Sequence, residues 1–317
     1  MLPSFLRRLT MLAATAVVAS VAVFVLLSVV PGDPAQVALG LNASPEALAA
    51  QRAAMGLDDS PIVRYLDWLG GIFRGDFGIS SVSKQPIGPE LLDKLQVTLT
   101  LVLCALVIAL IVAIPVGILA AVRQRRIDGA LVSAASQVGI SVPGFLVGML
   151  LVTVFAVRLG WLPSSGWVRP SDNFGEFLRH VTLPAIALGA VQAAVLTRYV
   201  RSAVLEIMRE DFLRTARSKG LRPLKALVVH GLRNAAVPVI TVTGVQLATM
   251  LVGAVVIERV FVINGIGSML LDRVANRDMV AVQGIVLVLV LLVLVINTVV
   301  DALYTLVDPR LRERVAG

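Results

Sequence analysis

Charged side chains are scarce in this chain, and their scarcity excludes a soluble globular fold. Only 15% of its 317 residues are Asp, Glu, Lys or Arg, 57% are hydrophobic, and the mean hydropathy is +0.90. No single water-bounded core buries so much apolar surface, so the natural solvent of the chain is lipid. Cysteine is nearly absent too. Cys104 has no second thiol to pair with and sits in an apolar run, where it reads as a packing residue. A phosphate-binding loop is also missing. That motif ends in Gly-Lys, whereas Ser83, Asp93, Ser218 and Leu224 precede the four lysines, so ATP is not bound that way. No Ser-His or zinc-protease constellation is present to support an intramembrane hydrolase.

What the chain has instead is a series of long uncharged runs. A bilayer core is crossed by about 20 apolar residues in a helix. Uncharged stretches cover Leu9–Gly32, Leu95–Val122, Gly129–Val157, Val181–Thr197, Val237–Ile257 and Met279–Val300, which predicts an all-α membrane protein with six transmembrane helices. The fourth run is the shortest. Arg198 and Arg201 can snorkel from its end, so that helix is expected to continue toward Val204. Arg7 and Arg8 before the first run resemble a secretory signal. The run is too long for one, however, and Ser28-Val29-Val30 offers no A-x-A cleavage site.

Six helices sort the loops onto two sides. One side collects 17 of the 28 basic residues but only 7 of the 20 acids, the latter being Asp128, Glu206, Glu210, Asp211, Asp301, Asp308 and Glu313. The positive-inside rule then places both termini in the cytoplasm and accounts for the net charge of +8. No nucleic-acid partner is needed, and no basic stripe interleaved with aromatics suggests one. The two histidines, His180 and His230, fall on opposite sides of this topology, so no metal site is expected.

Two loops are too long to be plain connectors. In the first, from Pro31 to Lys94, Ser44 and Pro45 have the chemistry of an N-cap and a first helical position for a helix running to Met55. Tyr65, Trp68, Leu69, Ile72 and Phe73 then recur at helical spacing. Two readings stand for this aromatic stripe: a lid on the lipid headgroups, or a docking surface for a soluble partner. In the second loop, Glu206 to Arg233, Leu205, Met208, Phe212 and Ala216 share one helical face, with Glu210, Arg214 and Arg217 off it. Gly220 is placed to stop this helix and Pro223 to open another. A membrane-surface helix and a partner-binding helix both fit.

Within the spans, Gly139-Ile140-Ser141-Val142-Pro143-Gly144 interrupts a helix at membrane depth. Such a break is tolerated where neighbouring protein or a water-filled cavity satisfies the freed backbone groups, and a simple packing kink is the other reading. Charge in the middle of a span would suggest a proton relay. Glu258 and Asp301 instead stand near span ends, which disfavours a self-sufficient proton-coupled carrier.

The loops carry a resemblance. Asp211-Phe212-Leu213-Arg214-Thr215-Ala216-Arg217-Ser218-Lys219-Gly220-Leu221, followed by His230-Gly231-Leu232-Arg233-Asn234-Ala235-Ala236-Val237-Pro238, resembles the EAA coupling loop of ABC importer permeases in its dipeptide, oligopeptide and nickel branch. Pro31-Gly32-Asp33-Pro34, Gly75-Asp76-Phe77-Gly78, Gly160-Trp161-Leu162-Pro163-Ser164-Ser165-Gly166, Gly253-Ala254-Val255-Val256-Ile257-Glu258 and Asp308-Pro309-Arg310 resemble that branch in order and spacing. The early Pro-Gly-Asp-Pro and the long first outer loop are similar to the B-type member of the permease pair. Two departures are Arg214-Thr215-Ala216 in place of Glu-Ala-Ala, and Asn264-Gly265 where the branch commonly has Pro-Gly.

The resemblance implies a type I ABC importer permease fold in the bacterial inner membrane. It divides the chain into a first membrane helix (1–32), an extracytoplasmic region (33–94), a permease core of five membrane helices (95–305) containing the coupling loop 206–233, and a cytoplasmic tail (306–317). The implied partners are a C-type permease subunit, two cytoplasmic ATPase subunits and an extracytoplasmic substrate-binding protein, with no cofactor. Solutes of the branch are di- and oligopeptides, with nickel or another small solute as the alternative. The expected coupling residues are Asp211, Phe212, Arg214, Thr215, Ala216, Lys219, Gly220, Arg233, Asn234 and Pro238. Gly139, Ser141, Pro143, Gly253 and Glu258 are candidates for pore or gate, and Tyr65, Trp68, Ile72 and Phe73 for docking of the binding protein.

Overall fold

A computed structural model describes residues 2–29, 33–40 and 43–307. Pro31, Gly32, Asp308-Pro309-Arg310 and the rest of the tail to residue 317 lie outside the described residues. Lipid offers no partner for a bare N–H or C=O, so a crossing chain must satisfy its backbone within helices. The described residues are nearly all helical, and their only extended pairing is one isolated bridge between Ile79 and Pro86.

The helices are α1 (Leu2–Val29), α2 (Pro34–Leu39), α3 (Pro45–Ala54), α4 (Pro61–Phe73), α5 (Ile87–Val122), α6 (Ile127–Ser141), α7 (Gly144–Leu151), α8 (Phe174–Ile207), α9 (Asp211–Ser218), α10 (Pro223–Ala226), α11 (Leu232–Val260), α12 (Ile266–Ala275) and α13 (Met279–Val307). Wider π-type turns extend α7 over Val152–Arg158 and join α10 to α11 over Leu227–Gly231. Helices α1, α5, α8, α11 and α13 are each long and apolar enough to cross a membrane. The pair α6 and α7 is bent by 97° at Val142-Pro143, inside the segment whose glycines and proline predicted a break.

The chain divides into two compact units. The first comprises residues 1–97 and 264–295. In it, Phe24 of α1 meets Tyr65 and Trp68 of α4 at ring separations of 5.4 and 5.8 Å, and Ser20 shares a 2.8 Å hydrogen bond with the Tyr65 hydroxyl. The Ser44 hydroxyl caps α3 by accepting from Ala47 N, as its sequence position predicts. The Arg52 guanidinium bonds Asp58 at 3.2 Å and Asp33 at 2.6 Å, and both carboxylates push its pKa up, Asp58 the more.

Helix α12 was not anticipated from sequence. Its Ile266 and Met269 pack with Ile87 and Leu91 of α5 and Ala281 and Ile285 of α13. Beside this cluster lies a polar centre. Asp278, fully buried, accepts from the Ser80 hydroxyl at 2.5 Å and from Ser81 N at 3.1 Å. Arg273 stands 3.5 Å from it and binds Glu90 at 2.6 Å. Burying a carboxylate is costly without such a set of donors and a nearby counter-charge.

The second unit comprises residues 98–263 and 296–317, and α8 is its axis. A Cβ added at Gly189 would lie 2.7 Å from the Ala105 carbonyl oxygen of α5. Those two backbones approach as closely as only glycine permits, the usual device for joining helices in lipid. The packing of α6 and α7 on α8 keeps a steady register. Virtual Cβ positions at Gly139, Gly144 and Gly148 face Ala194, Val191 and Ala187 in turn. Both arms of the bent pair thus lie against α8 in opposite sequence order, and with the pair taken as one span the candidate membrane spans number up to six among the described residues.

This packing decides between two opposed effects of Gly189→Ala. Helix propensity favours Ala by about 1 kcal/mol, while overpacking against a fixed backbone costs about 1–3 kcal/mol. Gly189→Ala is expected to lower the thermal unfolding midpoint in detergent. Gly70→Ala in α4, where a Cβ would meet nothing within 4 Å, should leave the midpoint level or raise it. A raised midpoint for Gly189→Ala contradicts the close approach.

Candidate functional site

The segment between α8 and α11 folds as a small hairpin of helices. Helix α9 ends at Gly220 in a Schellman arrangement: Leu221 N donates to Ala216 O at 3.3 Å and Gly220 N to Arg217 O at 2.9 Å. Gly220 has φ +92°, and a Cβ there would meet no neighbour within 4 Å. Its requirement for glycine is therefore conformational, with no steric part. The stop at Gly220 and restart at Pro223 match the sequence expectation.

The buried face of α9 differs from that expectation. Leu213, 2% exposed, and Ala216 pack with Ala226 and Leu227 of the returning strand of the hairpin, Val200, Ala203 and Val204 of α8, and Ala121 of α5. Phe212, grouped with Ala216 by helical spacing, is 40% exposed. The two residues do not form one knob. Met208 is the C-cap of α8, so α9 starts on a new axis and the face counted from Leu205 does not continue through the turn.

Arg217 fastens the hairpin to α8. It donates from Nη2 to Met208 O at 2.7 Å and from Nε to Leu213 O at 3.2 Å. With Met208, Arg209 and Arg214 it lines an open concavity of about 500 Å³. Around it the chain exposes apolar Phe212, Leu224, Val228 and Val229 among Arg214, Lys219, Arg222 and Lys225. Asp211 and Arg214 pair at 3.3 Å on the surface, a contact worth about 0.3–0.5 kcal/mol. Thr215 donates to Asp211 O at 3.0 Å. Arg233, Asn234 and Pro238 are exposed along the start of α11.

The five candidate pore or gate residues separate into three settings. Ser141 and Pro143 lie exposed at the break, with the Ser141 hydroxyl bonded to Gln137 O at 3.2 Å. Gly139 and Gly253 are packing positions: a Cβ at either would come within about 3 Å of Ala194 or Leu188 on α8 (3.0 and 3.1 Å). Glu258, placed near a span end by the sequence, is fully buried there and accepts from the Thr98 hydroxyl of α5, tying α5 to α11.

The outer aromatic stripe is likewise split. Tyr65 and Trp68 turn toward α1, whereas Phe73 is 84% exposed and shares the outer face with Ile62 and Leu66. Among the described residues no group of three His, Cys, Asp or Glu could hold a metal ion.

The same architecture is found in known proteins. The family model described as "Binding-protein-dependent transport system inner membrane component" matches residues 113–313. The chain belongs to this family. The companion model for the N-terminal part of such membrane components matches residues 1–110. Among curated relatives, the dipeptide transport system permease protein DppB of Escherichia coli K12 is 37% identical over 340 aligned positions, covering 99% of this chain and all of that protein. The glutathione transport system permease protein GsiC of the same strain is 38% identical over 312, covering 98% and 99%. A chain of the MetNI methionine ABC transporter, solved facing inward, superposes with a TM-score of 0.58 at 20% identity over 69% of this chain and 96% of its own. That likeness shows the importer permease fold. Family membership and the apolar spans make this a multi-pass inner-membrane protein.

The packing of the hairpin yields a test. Ala216→Asp should open it, because a charge would be placed in a nearly closed apolar contact, and trypsin should then cut at Arg214 or Arg217. Phe212→Asp should leave the hairpin as resistant as the parent. Equal lability of the two variants would restore the single-face reading.

Proposed function

We propose that this chain is one of two permease subunits that together form the translocation path of an ATP-driven, binding-protein-dependent importer of di- or oligopeptides. The observation that carries the reading is the hairpin of α9 and α10. It is rooted in its own unit by a buried apolar cluster, yet it leaves Phe212, Leu224 and Val228 uncovered among basic residues. Apolar side chains held rigidly in the open fit a partner protein better than they fit water. The absence of a phosphate-binding loop from the sequence supports nucleotide hydrolysis by separate ATPase subunits. The hairpin is the surface on which we seat one of them.

Peptides follow from the relatives, whose names specify dipeptide and glutathione transport. A nickel importer is the alternative within the branch, and no side-chain cluster of the described residues favours it. Solute choice belongs to the extracytoplasmic binding protein on this reading. The outer face of α4 bearing Ile62, Leu66 and Phe73, with Tyr65, Trp68 and Ile72 supporting it from behind, is the proposed receiving surface.

The reading requires both termini in the cytoplasm. Ser83 and Ser218 are exposed, so Ser83→Cys and Ser218→Cys, made separately in a Cys104→Ser background, report the topology. An impermeant maleimide added outside should label only the first, and labelling of Ser83→Cys from the cytoplasm would overturn the orientation.

The coupling role is tested in the assembled transporter. Gly220→Val forces a β-branched residue into the left-handed region at a cost of about 1–2 kcal/mol, and it should shift α10 relative to α9. Gly220→Val and Phe212→Asp are expected to lower binding-protein-stimulated ATP hydrolysis and uptake several-fold while the chain still inserts. Parental hydrolysis and uptake in both variants would show that the hairpin is only a connector.

A further inference from the structure

Three helices of the second unit change from apolar to charged sequence at one place. The uncharged run of α5 ends at Val122, that of α6 begins at Gly129, and that of α8 ends at Thr197. Within a turn or two of these limits a cavity of about 160 Å³ opens between the three helices, lined by Ala120, Ser133, Ser136, Gln137, Thr197, Arg198 and Arg201. It therefore sits where hydrocarbon gives way to lipid headgroups. At roughly 30 Å³ per water it has room for about five, or for one tetrahedral anion and its hydration.

The lining carries two guanidinium groups and no carboxylate. Arg201 Nε is buried and has no hydrogen-bond partner, although a buried donor is costly to leave unpaired. Arg198 lies over the ring of Tyr199, 5.3 Å from its centroid. The nearby Asp128 is already taken by Arg123 at 2.6 Å. Ser133 and Ser136 spend their hydroxyl protons on Gly129 O and Val132 O, so the cations provide the charge of the site.

We propose that this cavity binds the phosphate of an anionic phospholipid, with Arg201 and Arg198 as its cationic ligands. A planar guanidinium presents a fork of donors matched to phosphate oxygens. Basic pockets between membrane helices at the headgroup level suit such lipids. The cavity lies at the ends of three uncharged runs, the depth at which a lipid phosphate rather than a solution anion is the abundant tetrahedral group.

The test uses the assembled transporter in detergent, titrated with phosphatidylglycerol or with phosphatidylcholine, and bound lipid is counted by native mass spectrometry. The parent should retain phosphatidylglycerol in preference to phosphatidylcholine. Arg201→Gln should weaken that retention about fivefold, near the contribution of one arginine at a membrane surface. Arg198→Gln/Arg201→Gln should abolish the preference, and Arg125→Gln, on the same end but outside the cavity, should keep it. Ser133→Leu fills the cavity while preserving both charges and should also lose the lipid, which keeps the test decisive if the arginine variants fail to assemble. Undiminished preference in the double variant or in Ser133→Leu would overturn the proposal. So would displacement of the lipid by millimolar inorganic phosphate, which would identify a free-anion site.

Discussion

Apolar helices gain little by touching one another in hydrocarbon, because lipid tails solvate them as well as a neighbour does. The second unit must therefore be held by dispersion between surfaces that fit closely and by polar contacts that lipid cannot replace. Helix α8 supplies the first. Gly189 takes the Ala105 carbonyl almost against its backbone, Gly117 on α5 meets Val200, and Leu188 reaches Gly253 on α11. The bent pair α6 and α7 uses Ala194, Val191 and Ala187 of the same helix. Each neighbour is thus located by α8 through a small residue, and a larger one at Gly189 or Gly117 would move a whole helix. Glu258 with Thr98 supplies the second kind of contact between α5 and α11.

That arrangement explains how a sharp break is tolerated. At Val142-Pro143 the helix turns by 97°, yet Leu146 N and Val147 N both find Pro143 O within 3.3 Å and α7 resumes at once. Continuous contact with α8 on both sides of the break provides the support that lipid could not. A kink made this way has a fixed location and two rigid arms, which is the form a moving gate would need.

Much of this was legible in the sequence because lipid enforces simple rules. Uncharged runs marked the spans, Ser44 and Pro45 marked a helix start, and Gly220 and Pro223 marked the hairpin turn. Other features were hidden for physical reasons. The turn at Met208 starts α9 on a new axis, so spacing counted from Leu205 did not reveal that Leu213 rather than Phe212 is the buried partner of Ala216. Helix α12 is short and lies in a charged segment, where Asp272, Arg273 and Asp278 read as ordinary loop polarity. Only folding brings Asp278 to Ser80 and Arg273 to Glu90, nearly two hundred residues away. Glu258 does stand near a span end, but that position does not reveal that α5 covers it with Thr98.

The attachment of the hairpin bears on how an ATPase partner could act. A partner shifts the permease only if it binds two of its arrangements with different free energy. A loosely hung hairpin would absorb a push by swinging on its turns. Here Arg217 bonds the last carbonyl of α8 while Leu213 and Ala216 key into Val200, Ala203 and Val204. A displacement of α9 must either break that cluster or carry the end of α8 with it. The cluster holds four fully or nearly buried Val and Leu side chains, Val200, Val204, Leu213 and Leu227, and burial of one such side chain is worth about 1.5–3 kcal/mol. Carrying the end of α8 with α9 keeps that cluster whole, and on the proposed reading a push at Phe212 would pass to α8 and through it to the helices packed on it.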